Sequence, residues 1–212
     1  MDKLTQTKLA LISQRARTGP KLQFNSLAHL LNEGFLKECY YSLGRDRASG
    51  IDGVSWKEYG KHLYENLRDL VAQMKVKRYK PQPVKRVYIP KNEHGKRPLG
   101  LPALEDKIVQ KGISRILEAI YEADFLNCSY GFRPERNCHQ ALNAVDKIIM
   151  RKPINYVIEA DIKGYFDNVS IPHSRKTISW SAGIILNFKE RLNILMVLIL
   201  LLRKRLCLDV SG

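Results

Sequence analysis

Two kinds of residue in this chain could do chemistry. One is a carboxylate at the end of an apolar strand, Asp161. The other is a set of cations, Lys85, Lys91 and Arg97, on or beside one hairpin. In the stretch Tyr156-Val-Ile-Glu-Ala-Asp-Ile-Lys-Gly-Tyr-Phe-Asp-Asn-Val169, Tyr156, Ile158, Ala160 and Ile162 fall on one side of a strand, and Val157, Glu159 and Asp161 on the other. The strand breaks at Gly164; Tyr165, Phe166 and a second carboxylate, Asp167, follow. A strand-end aspartate suits a divalent cation, because rigid backbone fixes the oxygen and the next turn offers carbonyls and amides. The competing reading is that Asp161 only ends a strand and Asp167 caps a helix. Cations on a projecting, mobile hairpin suit another task, closing positive charge onto a triphosphate; a hairpin bearing ordinary surface lysines is the alternative.

The elements that must position these groups follow from periodicity. Residues 1 to 20 are polar and basic, with a short helix from about Thr5 to Arg17 striped weakly by Leu4, Leu11 and Ile12. Leu27, Leu30, Leu31, Phe35, Leu36 and Cys39 recur at spacings of three and four and predict one amphipathic helix over Ser26 to Leu43. An ordered turn, Arg45 to Gly53, precedes a second helix that Ser55 opens as a cap with Glu58 three residues on, running to Met74. Residues 81 to 101 predict a β-hairpin with arms Val84 to Ile89 and Arg97 to Leu101, turning at Asn92-Glu-His-Gly95. Val87 and Ile89 share one face, Arg86 and Tyr88 the other. A helix from about Glu105 to Tyr121 presents Val109, Ile113, Ile116, Leu117 and Ile120 to the core. After the compact loop Ser129-Tyr-Gly-Phe-Arg-Pro134, Asn137 and Gln140 form a capping box for a helix whose buried face is Leu142, Val145, Ile148 and Ile149. Lys152-Pro153 ends it, and the Asp161 strand follows.

The 212 residues are enough for one sizeable core or two small ones, and 44% hydrophobic with 27% charged residues is a globular balance. A net charge of +15 favours a polyanionic partner, nucleic acid before an anionic membrane surface. Nine Lys or Arg and one acid, Glu93, lie between Lys75 and Arg97, so +8 of that charge sits in 23 residues, with Tyr79 and Tyr88 interleaved. Cations near aromatics suit RNA or single strands; a solvated basic face is the plainer explanation. Cys39, Cys128, Cys138 and Cys207 lack zinc spacing and suit a reducing compartment. No signal peptide is visible at the N-terminus, and the longest apolar run, Ile194 to Leu202, is too short to cross a bilayer, so stable membrane insertion is not expected.

Six motifs stand in one order: Ser49-Gly-Ile-Asp-Gly53, Ile89-Pro-Lys91, Gly95-Lys-Arg-Pro-Leu-Gly-Leu-Pro102, Glu105-Asp-Lys-Ile-Val-Gln110, Ser129-Tyr-Gly-Phe-Arg-Pro134 and Asp161-Ile-Lys-Gly-Tyr-Phe-Asp167. The set resembles the N-terminal half of a group II intron-encoded reverse transcriptase (maturase), over roughly residues 25 to 170. The resemblance implies an α+β fold, right-hand polymerase fingers with a truncated palm: helices, a basic β-hairpin and a palm strand. It divides the chain into a basic arm (1–24), fingers (25–150), the start of the palm (151–170) and a divergent tail (171–212). The implied reaction is addition of deoxynucleotides to a DNA primer along an RNA template, with two Mg²⁺ ions. Asp161 matches the first metal-binding aspartate and the Ile162 carbonyl a further ligand. Gly164 and Tyr165 match amides that meet the phosphates, Phe166 the aromatic that rejects a 2′-hydroxyl, and Lys91 and Arg97, with Lys85, the cations that hold the dNTP. Arg133 lies in the motif resembling the fingers–palm junction.

The departures shape the expectation. The family completes its metal site with an aromatic-x-Asp-Asp turn, and this chain has no Asp-Asp pair. From about Ser170 it also leaves the family pattern, which reads as a frameshift or truncated reading frame, with a divergent palm helix as the alternative. The expectation is therefore a truncated, inactive polymerase fragment, the alternative a non-catalytic protein that binds intron RNA and assists splicing. A bacterial cytoplasm or an organellar matrix is the expected place, and homodimer formation stays open.

Overall fold

The computed structural model describes residues 3–19, 22, 24, 27–92 and 95–156. Among them the fold is α+β: a helical core and one two-stranded antiparallel sheet. The helices are α1 (Lys3–Thr18), α2 (Glu33–Ser42), α3 (Trp56–Lys61), α4 (Leu63–Lys75), α5 (Leu104–Tyr121) and α6 (Cys138–Arg151); the strands are β1 (Lys85–Asn92) and β2 (Gly95–Leu101). The palm strand expected at 156–162 and the tail from 171 fall outside the described residues.

Helix α5 is the axis of the core. It buries Leu104, Ile108, Val109, Ile113, Ile116, Leu117 and Tyr121, and α1 and α2 pack against it while α4 packs on α2. Ile108 joins the expected stripe, and Ile120 is only partly buried at its margin. From α2 come Phe35, Leu36, Cys39 and Tyr40, and from α4 Leu63, Leu67, Leu70 and Val71. The largest of these are worth about 1.5–3 kcal/mol each in water-excluded apolar surface. Burial also pushes the Cys39 thiol pKa up. In α1 the inward residues are Leu9, Ile12 and Ala16, while the expected stripe residue Leu11 faces solvent.

Two helices that periodicity reads as continuous are each broken. Leu27–Leu30 forms a 3₁₀ turn, and Asn32 caps α2 by accepting the Phe35 amide at 3.0 Å. The apolar spacing crosses this break undisturbed, because a 3₁₀ turn has nearly the helical period. The second break is at His62, between α3 and α4. Ser55 caps α3 as expected, accepting from the Glu58 amide at 3.2 Å. Tyr40 and Trp56 lock α2 to α3: the rings stack at 4.5 Å, the tyrosine hydroxyl donates to the Trp56 carbonyl (2.8 Å), and the indole N–H donates to the Tyr40 carbonyl (3.1 Å).

The hairpin is longer than its sequence pattern suggests. It pairs Lys85 with Leu101, Val87 with Leu99, Tyr88 with Pro98 and Ile89 with Arg97, up to Pro90 with Lys96. The next pair is Asn92 with Gly95, so Lys91 is one extra residue on β1, a bulge. Pro90 and Pro98 both sit inside the ladder.

The α6 capping box forms as read: Asn137 accepts from the Gln140 amide (2.9 Å) and the Gln140 side chain from the Asn137 amide (3.2 Å). Its apolar face is not buried. Leu142, Val145, Ile148 and Ile149 are all exposed. Periodicity reports that a face is apolar; it does not supply the neighbour that would cover it.

The loop before α3 touches the start of α5 at Gly50. A Cβ there would stand 2.5 Å from the Ala103 Cα and 2.7 Å from the Pro102 carbonyl carbon. Gly53 has φ of +68° with open space around it. Gly50→Ala is expected to lose roughly 1–3 kcal/mol by forcing backbone apart, and Gly53→Ala only about 1 kcal/mol for its left-handed conformation. Urea unfolding midpoints of the two variants check the order.

Candidate nucleic-acid interface

The hairpin's register decides which cations act together. Directly paired residues share a face. Lys85, Val87, Ile89, Arg97, Leu99 and Leu101 therefore line one face, and Arg86, Tyr88, Pro90, Lys96, Pro98 and Gly100 the other. Lys85 and Arg97 lie on the same face, but Arg97 stands opposite Ile89, four residues along, so the two are about 13 Å apart along the strand. Both are exposed. Lys91 is the bulge residue nearest the turn; its side chain lies outside the described ones. On the second face exposed Tyr88 stands between the Arg86 and Lys96 positions. Each face thus presents two cations around an apolar or aromatic centre, an arrangement suited to phosphates with bases or a sugar between them.

The base of the hairpin is held at the first turn of α5. Helix α4 ends in a Schellman turn: the Arg78 amide donates to the Gln73 carbonyl (2.9 Å) and the Lys77 amide to that of Met74 (3.1 Å), with Lys77 at φ 59°. This turn sends Tyr79 into the core, where its hydroxyl donates to Asp106 Oδ1. The Gln82 amide donates to Asp106 Oδ2 at 2.9 Å. Beside it the Tyr59 hydroxyl donates to Glu105 Oε1 at 3.1 Å, and Lys107 Nζ reaches the Ala48 carbonyl at 2.6 Å. Burial raises the pKa of both tyrosines and of the Glu105 carboxyl, and lowers that of Lys107. The sequence pattern sets Tyr79 beside Tyr88 among the basic residues as a surface for RNA; the structure corrects this, since Tyr79 is buried and only Tyr88 is exposed, and Asp106 had no role in that reading. The signal was present: Asp106 lies three residues before Val109, on the stripe that α5 buries.

The loop Ser129–Pro134 is held from inside. Arg133, with its side chain 6% exposed, donates from Nη2 to Glu122 Oε1 (2.6 Å), from Nε to the same oxygen (3.1 Å), and from Nη1 to the Leu126 and Ser129 carbonyls (2.9 Å each). Its guanidinium also lies 4.9 Å from the centre of the Phe125 ring. Phe132 and Glu135 adopt left-handed backbone, φ 55° and 57°, and Phe132 projects fully exposed. Arg133 therefore has a structural task, holding a strained loop.

Residues 89–181 match the family described as reverse transcriptase (RNA-dependent DNA polymerase). The chain is 37% identical to the protein YkfC of Escherichia coli (strain K12) over 161 residues, 73% of this chain and 42% of that one. It is 34% identical to the group II intron-encoded protein LtrA of Lactococcus lactis subsp. cremoris, over 79% of this chain and 28% of that one. An uncharacterized 91 kDa protein in the cob intron of Schizosaccharomyces pombe is 32% identical, over 79% of this chain and 21% of that one. These matches support a relationship to group II intron-encoded reverse transcriptases and maturases. The chain spans less than half the length of each of these relatives.

The matched span takes in β2, α5, the Arg133 loop and α6. Asp161, Ile162, Gly164, Tyr165 and Phe166 fall within the span but outside the described residues. Among the described residues no group of three or more His, Cys, Asp or Glu could hold a metal, and no helix is long and apolar enough to cross a membrane. The described part therefore offers no fit for the family's metal ions. Cys39 is buried and Cys128 and Cys138 are exposed.

Because Arg133 is nearly sealed from water, Arg133→Met is expected to cost about 3 kcal/mol, the low end for breaking a buried pair. Arg133→Lys should recover little of it, since an ammonium cannot reproduce the fork. Urea unfolding, with limited proteolysis of the 129–136 loop, reads both effects.

Proposed function

We propose that this chain supplies the fingers and the beginning of the palm of a right-hand, RNA-directed DNA polymerase of group II intron type. The observation that carries the reading is the β1–β2 ladder. It sets Lys85 and Arg97, both exposed, on one face, with Lys91 at the bulge, where the chain begins to match the reverse transcriptase family. In this reading those three cations meet the phosphates of a dNTP or of the RNA template and DNA primer. Gly164 and Tyr165 offer amides to the same phosphates, and Phe166 abuts the sugar. Asp161, with the Ile162 carbonyl, supplies one half of a Mg²⁺ site. The 212 residues contain no Asp-Asp pair to supply the other half. One carboxylate does not bridge two ions about 4 Å apart. Such a protein would act in a bacterial cytoplasm or an organellar matrix.

A second reading rests on the +15 charge. In it the chain grips structured intron RNA without catalysis and assists splicing. Primer extension on an RNA template with annealed DNA primer, dNTPs and Mg²⁺ separates the two. Extension abolished by Asp161→Ala would establish the polymerase. No extension, with salt-sensitive RNA binding that Asp161→Ala leaves unchanged, would establish the binder.

Both readings require the hairpin cations to touch phosphate. Replacing Lys85, Lys91 and Arg97 by Ala is expected to weaken RNA binding and reduce the slope of log affinity against log salt by about 2, at roughly 0.7 per lost single-strand contact. An unchanged slope in a salt titration by fluorescence anisotropy removes the hairpin from the interface.

A further inference from the structure

We propose that Asp106 is the positioning residue of the hairpin, a buried clamp that fixes the direction in which β1 and β2 present their cations. The inference rests on the reading of the hairpin as the element that faces nucleic acid, and it assigns a task to the first turn of α5.

Asp106 is 3% exposed. Both of its oxygens are engaged, Oδ1 by the Tyr79 hydroxyl and Oδ2 by the Gln82 amide at 2.9 Å. Gln82 lies three residues before β1 begins at Lys85, and Asp106 five residues after β2 ends at Leu101. One carboxylate thus joins the chain entering the hairpin to the chain leaving it. Tyr79 is itself 4% exposed, and burial with the adjacent Asp106 keeps its hydroxyl protonated, so it remains a donor. An apolar residue at 106 would fill the same space without the cost of desolvating a carboxylate. It could not hold two donors in fixed directions.

Beyond this base, little among the described residues steadies the hairpin. Its residues are exposed except for the half-buried Val87, Ile89 and Leu101, and those of Lys91 and Asn92, whose side chains are not described. A two-stranded hairpin is marginal in water without a covering layer. Its aim must therefore come from its base, which connects to the core at Tyr79, Gln82 and the Pro102–Ala103 step into α5. Gly50 lies in close approach to that same step.

Two variants separate the clamp from simple packing. Tyr79→Phe keeps the buried ring and removes one hydrogen bond. Asp106→Asn keeps the volume and leaves one of the two donors facing an NH₂ group. Hydrogen exchange on the free protein is measured at the amides of β1, β2 and α5. Affinity for a fluorescein-labelled single-stranded RNA is measured in the parent and in a Lys85→Ala/Arg97→Ala background. Faster exchange confined to the hairpin is expected, with α5 protection kept. RNA binding should weaken roughly three- to ten-fold, the loss of one to two hydrogen bonds. That weakening should vanish in the neutralised background, because a misaimed hairpin matters only while it carries charge. Unchanged exchange in both variants overturns the clamp. An equal binding loss in both backgrounds overturns it too, since that is what general loosening produces. If the Lys85→Ala/Arg97→Ala chain binds RNA like the parent, the hairpin reading itself fails and takes the clamp's function with it, while the exchange data still decide whether Asp106 fixes the hairpin.

Discussion

A single buried carboxylate ties this structure together. Asp106 accepts from the Tyr79 hydroxyl and the Gln82 amide, and without those donors a carboxylate at 3% exposure would be costly to bury. The requirement runs in both directions. The donors are in place because the Schellman turn after α4 swings Tyr79 inward, and the acceptor is in place because α5 starts where the Gly50 loop leaves room for Ala103. Glu105 and Lys107, its neighbours on the same helical turn, extend the tie to α3 and to the Ala48 carbonyl. One turn of helix therefore gathers the loop before α3, the end of α4 and both ends of the hairpin.

This arrangement explains how an extended cationic element coexists with a compact helical core. Helices α1, α2, α4 and α5 bury their apolar stripes against one another and make no demand on the hairpin. The hairpin in turn adds charge and reach without contributing to the core. Arg133 plays the matching part at the other end of α5, where it draws a strained loop onto Glu122 just past the helix terminus. The family match begins within the hairpin and runs on through both of these devices.

Much of this was legible in the sequence because it is local. The hairpin faces followed from alternation, and the caps at Ser55 and at Asn137 with Gln140 from residue type and spacing. The breaks at Asn32 and His62 were not legible, since the apolar period carries through a 3₁₀ turn or a one-residue kink. The exposure of Leu142, Val145, Ile148 and Ile149 was not legible either, because burial depends on a partner surface and not on the helix that seeks it. Asp106 shows a third limit. An acid on an apolar stripe marks a buried hydrogen-bond acceptor, but its donors, Tyr79 and Gln82, lie more than twenty residues away and only the fold identifies them. The catalytic candidates Asp161 and Phe166 were legible as motif alone, and their geometry lies outside the described residues.

The two prolines in the hairpin have a consequence for how the protein behaves among its own copies. A free two-stranded ribbon with an apolar face has two open edges, each a template on which another chain can add a strand. A proline in a ladder has no N–H to offer and is tolerated where its nitrogen faces outward. Pro90 lies on β1 and Pro98 on β2, so each edge left open among the described residues lacks one donor. With Lys85, Arg86, Lys96 and Arg97 repelling like-charged neighbours, the ribbon is protected against edge-to-edge aggregation while its faces stay open to a ligand.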